Sequence, residues 1–100
     1  MKNKTIVDSL GRVTVPRELR EEANFKIKDK FEVEIRNGKV ILSKAEENGL
    51  KITKAMDDMS RIVLPIDIRR ALGFREGDEL QLNLEQILVL SKSSIGGKNE

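Results

Sequence analysis

Two arginines at matching positions have a type and spacing suited to binding an anion or a nucleic-acid base. Arg12 and Arg61 each follow an aspartate by four positions, Asp8 and Asp57 respectively. Arginine presents a planar, permanently charged fork that clamps a phosphate or reaches a guanine edge with two hydrogen bonds. Each arginine could instead pair with its own aspartate and pin a turn. Both interpretations stay open, because one arginine can do both.

A second group of basic residues follows each of the two prolines, Pro16 and Pro65. The second segment has Arg69-Arg70-Ala71 where the first has Arg20-Glu21-Glu22. Adjacent carboxylates repel phosphates, so we expect the second segment to supply most of the attraction to an anionic partner. These arginines could also be the solvated face of a surface helix. Further candidates for phosphate contacts are Arg17 and Arg75.

These residues lie in two copies of one pattern. Residues 8–20 return as residues 57–69, at a constant offset of 49, and residues 42–44 return as residues 90–92 at an offset of 48. An internal repeat constrains the fold more strongly than any local signal. Each copy is too short to bury an adequate core alone, so we expect the two copies to share one core.

Each copy predicts the same succession of elements. A short strand enters a turn, a second β-branched strand follows, and a proline ends that strand and begins a helix of about two turns. Asn24 and Gly73 suit the left-handed position that ends such a helix. A hairpin comes last, and Asn37-Gly38 predicts the first hairpin's turn. The predicted strands are 4–8, 13–15, 31–35, 40–42, 53–57, 62–64, 80–84 and 87–90; the predicted core residues are Val13, Val15, Phe25, Ile62, Leu64 and Phe74.

The predicted fold class is mainly β with two short helices. Interleaved hairpins from two tandem repeats would close a β-barrel and leave no exposed sheet edge. We assign residues 1–44 and 50–92 to the two repeats, 45–49 to a linker and 93–100 to a disordered tail. Both repeats would form one barrel.

Composition excludes several classes of function. The 100 residues contain no histidine and no cysteine, so a Ser-His or Cys-His nucleophile and an ordinary zinc or haem site are excluded. A carboxylate site for magnesium or calcium and a lysine or aspartate catalyst stay open, but no motif in the sequence supports either. We therefore expect no enzyme, no metal and no cofactor. The formal net charge is only +2, so attraction to nucleic acid requires a local basic patch.

The location expected from the sequence is the cytoplasm. No apolar run approaches the roughly 20 residues of a membrane span, and the first four residues lack the apolar stretch of a signal peptide. The absence of cysteine fits a reducing compartment.

The string Asp-x-x-Gly-Arg-Val-x-x-Pro-x-Glu-Leu-Arg, read at residues 8–20, resembles the AbrB/SpoVT swapped-hairpin transcription factors. The resemblance covers residues 4–44 and again 53–92. In that family two units interlock into one barrel that binds DNA, so two units on one chain suggest an intramolecular pseudo-dimer. The paired Asp-x-x-x-Arg motifs also resemble MraZ, a tandem relative of longer chain. MazE-type antitoxins share the barrel.

The resemblance implies a bacterial transcriptional regulator that binds double-stranded DNA and is associated with the nucleoid. It assigns the DNA contacts to Arg12, Arg20, Lys54, Arg61, Arg69 and Arg70. A homodimer or higher oligomer is the expected alternative to a single-chain barrel, and no small-molecule substrate is expected. The alternative function is a MazE-like antitoxin or another protein-interaction module. The acidic first helix and modest net charge favour that alternative, and the short segment after residue 92 argues against it.

Overall fold

The computed structural model describes residues 3–45, 53–84 and 88–93. The same order of elements (strand, strand, helix, strand, strand) occurs before and after the segment 46–52. The elements are β1 (Asn3–Ile6), β2 (Arg12–Thr14), α1 (Arg17–Ala23), β3 (Lys30–Arg36), β4 (Lys39–Lys44), β5 (Thr53–Ala55), β6 (Arg61–Val63), α2 (Ile66–Leu72), β7 (Glu79–Leu84) and β8 (Leu88–Lys92). The prediction of a mainly β fold with two short helices is confirmed. Most of the predicted linker, part of the second hairpin's turn and the predicted tail beyond Ser93 lie outside the described residues.

Local signals account for the helices. The proline before each helix has φ near −60°, with values of −59° at Pro16 and −55° at Pro65, as its ring requires. Each helix ends at a residue in the left-handed conformation, Asn24 with φ 59° and Gly73 with φ 69°. The predicted C-caps are therefore confirmed. The first and fifth strands end two residues earlier than predicted, because Asp8 and Asp57 already belong to turns.

Among the described residues every strand pairing is antiparallel, and four of these pairings join the two halves of the chain. The strand order of the large sheet is β1-β7-β8-β4-β3-β5, while β2 and β6 form a separate two-stranded ribbon. The first strand of each half therefore lies against the hairpin of the other half. This exchange is compatible with a swapped-hairpin fold.

The pairing register relates the halves by an approximate twofold axis. Val13 pairs with Ile62 in the ribbon, and Ile41 pairs with Val89 between β4 and β8. Each pair joins matching positions of the two sequence segments, so both pairs lie on the axis. Residues of the first half consequently have counterparts 49 positions later as far as residue 29.

The expectation of a closed barrel is wrong. β1 and β5 are the two edges of the six-stranded sheet, and the ribbon is not part of that sheet. At the β1 edge a side chain accounts for the opening: the backbone N–H of Thr14 donates to the side-chain Oγ1 of Thr5 at 3.0 Å. A side chain thus takes the place of the backbone ladder that would continue the sheet.

One hydrophobic core is shared by both halves. The predicted core residues Val13, Val15, Phe25, Ile62, Leu64 and Phe74 are all buried. They belong to one cluster with side chains from β3, β4, β7 and β8. The rings of Phe25 and Phe31 meet edge to face, with centroids 4.7 Å apart. Because this core takes residues from both sequence segments, neither half buries its apolar side chains independently.

Candidate nucleic-acid interface

The ribbon of β2 and β6 presents four side chains on its outer face. Val13 and Ile62 point inward and are 0% exposed. Side chains alternate along a strand, so the flanking positions point outward. These outward residues are Arg12, Thr14, Arg61 and Val63, and the register sets Arg12 opposite Val63 and Thr14 opposite Arg61. Two of the predicted site residues therefore share one exposed surface, which we call the ribbon face.

An aspartate fixes the turn that precedes Arg12. Asp8 Oδ1 accepts hydrogen bonds from the backbone N–H of Leu10 at 3.0 Å and of Arg12 at 2.8 Å. Its Oδ2 accepts the Nε–H of Arg12 at 2.6 Å. The backbone bond from Arg12 is the main cause of a lowered pKa at Asp8, and the guanidinium adds to it.

The second half repeats this turn. Asp57 accepts backbone N–H bonds from Met59 at 2.9 Å and Arg61 at 2.8 Å, and the Nε–H of Arg61 at 2.9 Å. Partial desolvation opposes the charge of Asp57, but these hydrogen bonds outweigh it and lower its pKa. In both turns the aspartate holds the arginine through Nε. The Nη groups are the part of the fork that can still meet a phosphate or a base.

Arg20 and Arg69 occupy matching positions in the two helices, and each folds back toward the segment between its helix and the preceding strand. Arg20 Nε donates to the carbonyl of Val15 at 3.1 Å, and Arg69 Nε donates to the carbonyl of Leu64 at 2.9 Å. Both side chains are half-buried. Their Nε atoms thus join each helix to the residue that follows the ribbon strand before it.

Arg69 also crosses to the opposite half. Gly11, with φ 78°, lies directly under its guanidinium: a Cβ at Gly11 would lie 2.5 Å from Nε and 2.7 Å from Nη1 of Arg69. The counterpart of Gly11 is Ser60, which adopts the same left-handed region with φ 63°. Gly11 lies in the turn that the sequence predicts after the first strand, and the contact with Arg69 was not predicted. The Gly–Ser difference between the copies was the available sign of a close contact.

Arg70 lies beside a groove at the C-terminal end of α2. The groove is lined by Ile66, Arg69, Arg70, Gly73, Phe74 and Arg75. A counterpart groove beside α1 is lined by Arg17, Arg20, Glu21, Asn24, Phe25 and Lys26. Each residue that lines the α1 groove has its counterpart 49 positions later in the lining of the α2 groove.

The two grooves differ in charge. Arg70 is exposed, whereas its counterpart Glu21 accepts the Nε–H of Arg17 at 3.3 Å. The α2 groove carries three arginines and no carboxylate among its lining residues. Its field is therefore the more attractive to an anion.

Lys54 lines a different cavity from the one beside each helix. It is on β5 opposite Phe31, and it lines a cavity of about 310 Å³ with Val33, Pro65, Asp67 and Ile68. The arginine grooves do not include it. Sequence reasoning also missed Thr14 and Val63 as members of the ribbon face. Their alternation with the buried Val13 and Ile62 was the signal that could have identified them.

Two kinds of feature are absent from the described ranges 3–45, 53–84 and 88–93. Within them, no group of three or more acidic side chains is arranged to hold a metal ion. Neither of the two seven-residue helices has the length and apolar character needed to cross a bilayer.

Comparison with known proteins gives two findings. Residues 4–50 match the family model described as antidote-toxin recognition MazE, bacterial antitoxin. The solution structure of PHS018 from Pyrococcus horikoshii has a similar fold, with a TM-score of 0.57 and 20% sequence identity, over 91% of this chain and 88% of that chain. No curated protein matches the sequence. The first half is therefore similar to a MazE-like domain, and the whole chain shares a known fold.

Proposed function

Starting from a first half that is similar to MazE antitoxins, we propose that this chain is a DNA-binding transcriptional regulator of the AbrB type, built from two tandem units. The ribbon face and the two helix grooves are the proposed contact surface. Its residues are Arg12, Arg20, Arg61, Arg69 and Arg70, with Arg17 and Arg75 as outer phosphate contacts. Lys54 stays a candidate of lower rank, because Asp67 lines the same cavity.

The observation that carries the proposal is the arrangement of four arginines around one short ribbon. Arg12 and Arg61 stand on its outer face, and each is oriented by an aspartate at a distance of 2.6 or 2.9 Å. Arg20 and Arg69 are hydrogen-bonded to the residues that directly follow its two strands. A two-stranded ribbon fits the major groove of B-DNA, and arginine is the side chain that most often reads guanine there. An oriented arginine also loses less side-chain entropy on binding.

The difference between the grooves supports unequal half-sites. A symmetric dimer reads two equal half-sites, whereas this chain would bind more strongly through α2 than through α1. Arg70 has an exposed charge where Glu21 is paired with Arg17. We therefore propose that the second half supplies most of the affinity.

A salt-dependent titration against random-sequence and AT-rich duplex DNA tests the proposal. The variant R61Q/R70Q removes two arginines of the contact surface and leaves the structural Arg69 in place. The control R36Q/K39Q removes the same charge from the two residues that flank the turn between β3 and β4. We expect the first variant to bind at least tenfold more weakly and to lower the salt slope by about two, because each lost phosphate contact reduces the slope by about one. The control should bind like wild type.

Two results would contradict this reasoning. Absence of DNA binding by folded wild type at low salt would refute the regulator function. Equal losses in R61Q/R70Q and R36Q/K39Q would show that net charge alone governs binding. Within the same titration, R70Q should weaken binding more than R17Q, and equal effects would refute the unequal half-sites.

A second candidate function rests on the family match itself, since the matched model describes recognition of a toxin by an antitoxin. In that case the chain would bind a protein, alone or together with DNA. Tight protein binding that is insensitive to salt, combined with no DNA affinity, would favour it. Growth rescue on coexpression with a candidate toxin is the matching assay in cells.

We further propose a non-enzymatic protein of the cytoplasm, associated with the nucleoid, that needs no cofactor. One chain supplies both sides of every interleaved pairing described above, so we propose a monomer, with a dimer as the alternative. Light scattering coupled to size exclusion decides between them. A mass near 11.3 kDa is the expected result.

A further inference from the structure

The large sheet meets the ribbon at two seams, β1 with β2 and β5 with β6, and the two seams are not equivalent. At the first seam the N–H of Thr14 donates to Oγ1 of Thr5 at 3.0 Å, and Thr5 is 7% exposed. The matching positions of the second seam hold Val63 and Lys54. A lysine side chain carries donors only, so it cannot accept the N–H of Val63. The second seam therefore lacks the hydrogen bond that joins the first.

The ladder of the ribbon directs the N–H of Val63 toward this second seam. The N–H of Leu64 donates to the carbonyl of Gly11 at 2.9 Å. Hydrogen-bonded pairs alternate with non-hydrogen-bonded pairs in an antiparallel ladder, so Val63 and Arg12 form a pair of the second kind. The N–H of Val63 thus points away from the partner strand, as that of Thr14 does at the first seam. No described residue accepts it, so the second seam contains an unpaired donor.

A cavity of about 310 Å³ opens at the second seam, and the matching side chains at the first seam are packed away. The residues that line the cavity are Val33, Lys54, Pro65, Asp67 and Ile68. Val33 and Ile68 are half-buried, whereas their counterparts Leu82 and Leu19 are 0% and 3% exposed. The second seam therefore leaves apolar surface uncovered where the first seam buries it.

Two groups of opposite charge stand on this otherwise apolar lining. Lys54 and Asp67 form no ion pair with each other or with any other described residue. An apolar lining with a few placed polar groups is the usual form of a site for a small molecule. Lys54 would attract a carboxylate and Asp67 an ammonium group through charge-assisted hydrogen bonds. Because the cavity supplies one cation and one anion, its complement is a small apolar molecule that carries both of these groups.

We propose that the second seam is a binding site for an apolar α-amino acid of about the size of leucine. The carboxylate of the ligand meets Nζ of Lys54 and the N–H of Val63, and its ammonium group meets Asp67. Its side chain packs against Val33 and Ile68. The site shares no lining residue with the two arginine grooves, so this inference does not rest on the proposed DNA binding.

Calorimetric titration of the full chain with L-leucine tests the site. Two analogues separate the charged groups, because isocaproate lacks the ammonium group and isoamylamine lacks the carboxylate. We expect leucine to bind and each analogue to bind at least about tenfold more weakly, since each loses a charge-assisted hydrogen bond. L-serine keeps both charges but lacks the apolar side chain, and it should also bind more weakly than leucine.

Variants of the chain locate the binding. D67N should weaken leucine binding by at least about tenfold. E18Q is the matched control, because Glu18 is the counterpart of Asp67 at the first seam and both residues are exposed. E18Q should keep wild-type affinity. V33L introduces the side chain that Leu82 has at the first seam, and it should fill the cavity and abolish binding. Thermal unfolding of each variant confirms that it is folded.

Each part of the proposal has a result that would overturn it. Failure of folded wild type to bind L-leucine would refute the site. Equal affinities for leucine and isocaproate would refute the recognition of a zwitterion. Equal effects of D67N and E18Q, or wild-type affinity in folded V33L, would show that leucine binds elsewhere on the chain.

Discussion

Replacing Gly11 by alanine should destabilise the fold by about 2–4 kcal/mol. Gly11 has φ 78°, and a residue with a Cβ in the left-handed region costs about 1–2 kcal/mol. The new Cβ would also lie 2.5 Å from Nε of Arg69, so the guanidinium must move. Its hydrogen bond to the carbonyl of Leu64 at 2.9 Å would be lost. Bonds to charged groups contribute about 1.5–3 kcal/mol, and we assign about 1–2 kcal/mol here because the half-buried Arg69 can return to water.

Gly38 provides the matched control. Its φ is 75°, and a Cβ added there meets nothing within 4 Å. G38A therefore has the backbone strain of G11A without the contact with Arg69. In urea unfolding, G11A should lose about 1–2 kcal/mol more than G38A, with similar m-values.

A double-mutant cycle isolates the contact further. In an R69A background the extra loss of G11A over G38A should disappear, because the displaced side chain is gone. Equal destabilisation by G11A and G38A in the wild-type background would refute the reasoning. It would mean that Arg69 moves aside at no cost, and that its contact with Gly11 does not hold the two halves together.

Two further predictions concern stability. T5V removes the acceptor of the Thr14 N–H without changing side-chain shape, and an unsatisfied donor costs about 1–3 kcal/mol; urea unfolding should show this loss, and a neutral result would mean that water replaces the bond. The pKa values of Asp8 and Asp29 are lowered mainly by backbone hydrogen bonds, from Arg12 and Lys26 respectively. A carboxylate with a lowered folded-state pKa stabilises the fold at pH values above the ordinary pKa of 3.8. This stabilisation is lost as the pH falls below that value. The midpoint temperature of thermal unfolding should therefore be nearly constant from pH 7 to about pH 5 and fall below about pH 4. D8N should make that fall less steep. An unchanged pH profile in D8N would contradict the assignment.

Local signals in the sequence predicted the elements well. Proline before each helix and Asn24 or Gly73 after it fix the helix ends through backbone conformation alone. Val13 and Ile62, in the predicted β-branched strands, were assigned to the core, and both are buried. Phe25 and Phe74 follow the helix ends and could therefore be assigned to the core. These features depend on a few neighbouring residues, which is why a single sequence contains them.

Features that depend on side-chain contacts between neighbouring elements of one half were not predicted. At the β1 edge Thr5 meets the ribbon through its side chain, and nothing local distinguishes that threonine from one in a continuous ladder. Arg20 and Arg69 fold back onto strand carbonyls, although helical position alone places them on a solvated face. The aspartate pairing of Arg12 was one of two interpretations that the spacing left open, and the geometry shows that it forms.

The interleaved pairings give a physical reason why the matching positions can differ. In a symmetric dimer each substitution occurs in both subunits. A glycine that lies under an arginine of the partner must therefore fit at both symmetry-related sites. Here each half contributes its own residue. Gly11 lies under Arg69 while Ser60 stands at the counterpart position, and Arg70 is exposed while Glu21 pairs with Arg17. Each difference lies in the ribbon turns or the helix grooves, whereas the shared core keeps matching apolar residues such as Val13 and Ile62. If one chain forms the whole binding unit, the contact surface can diverge without loss of the core that both halves require.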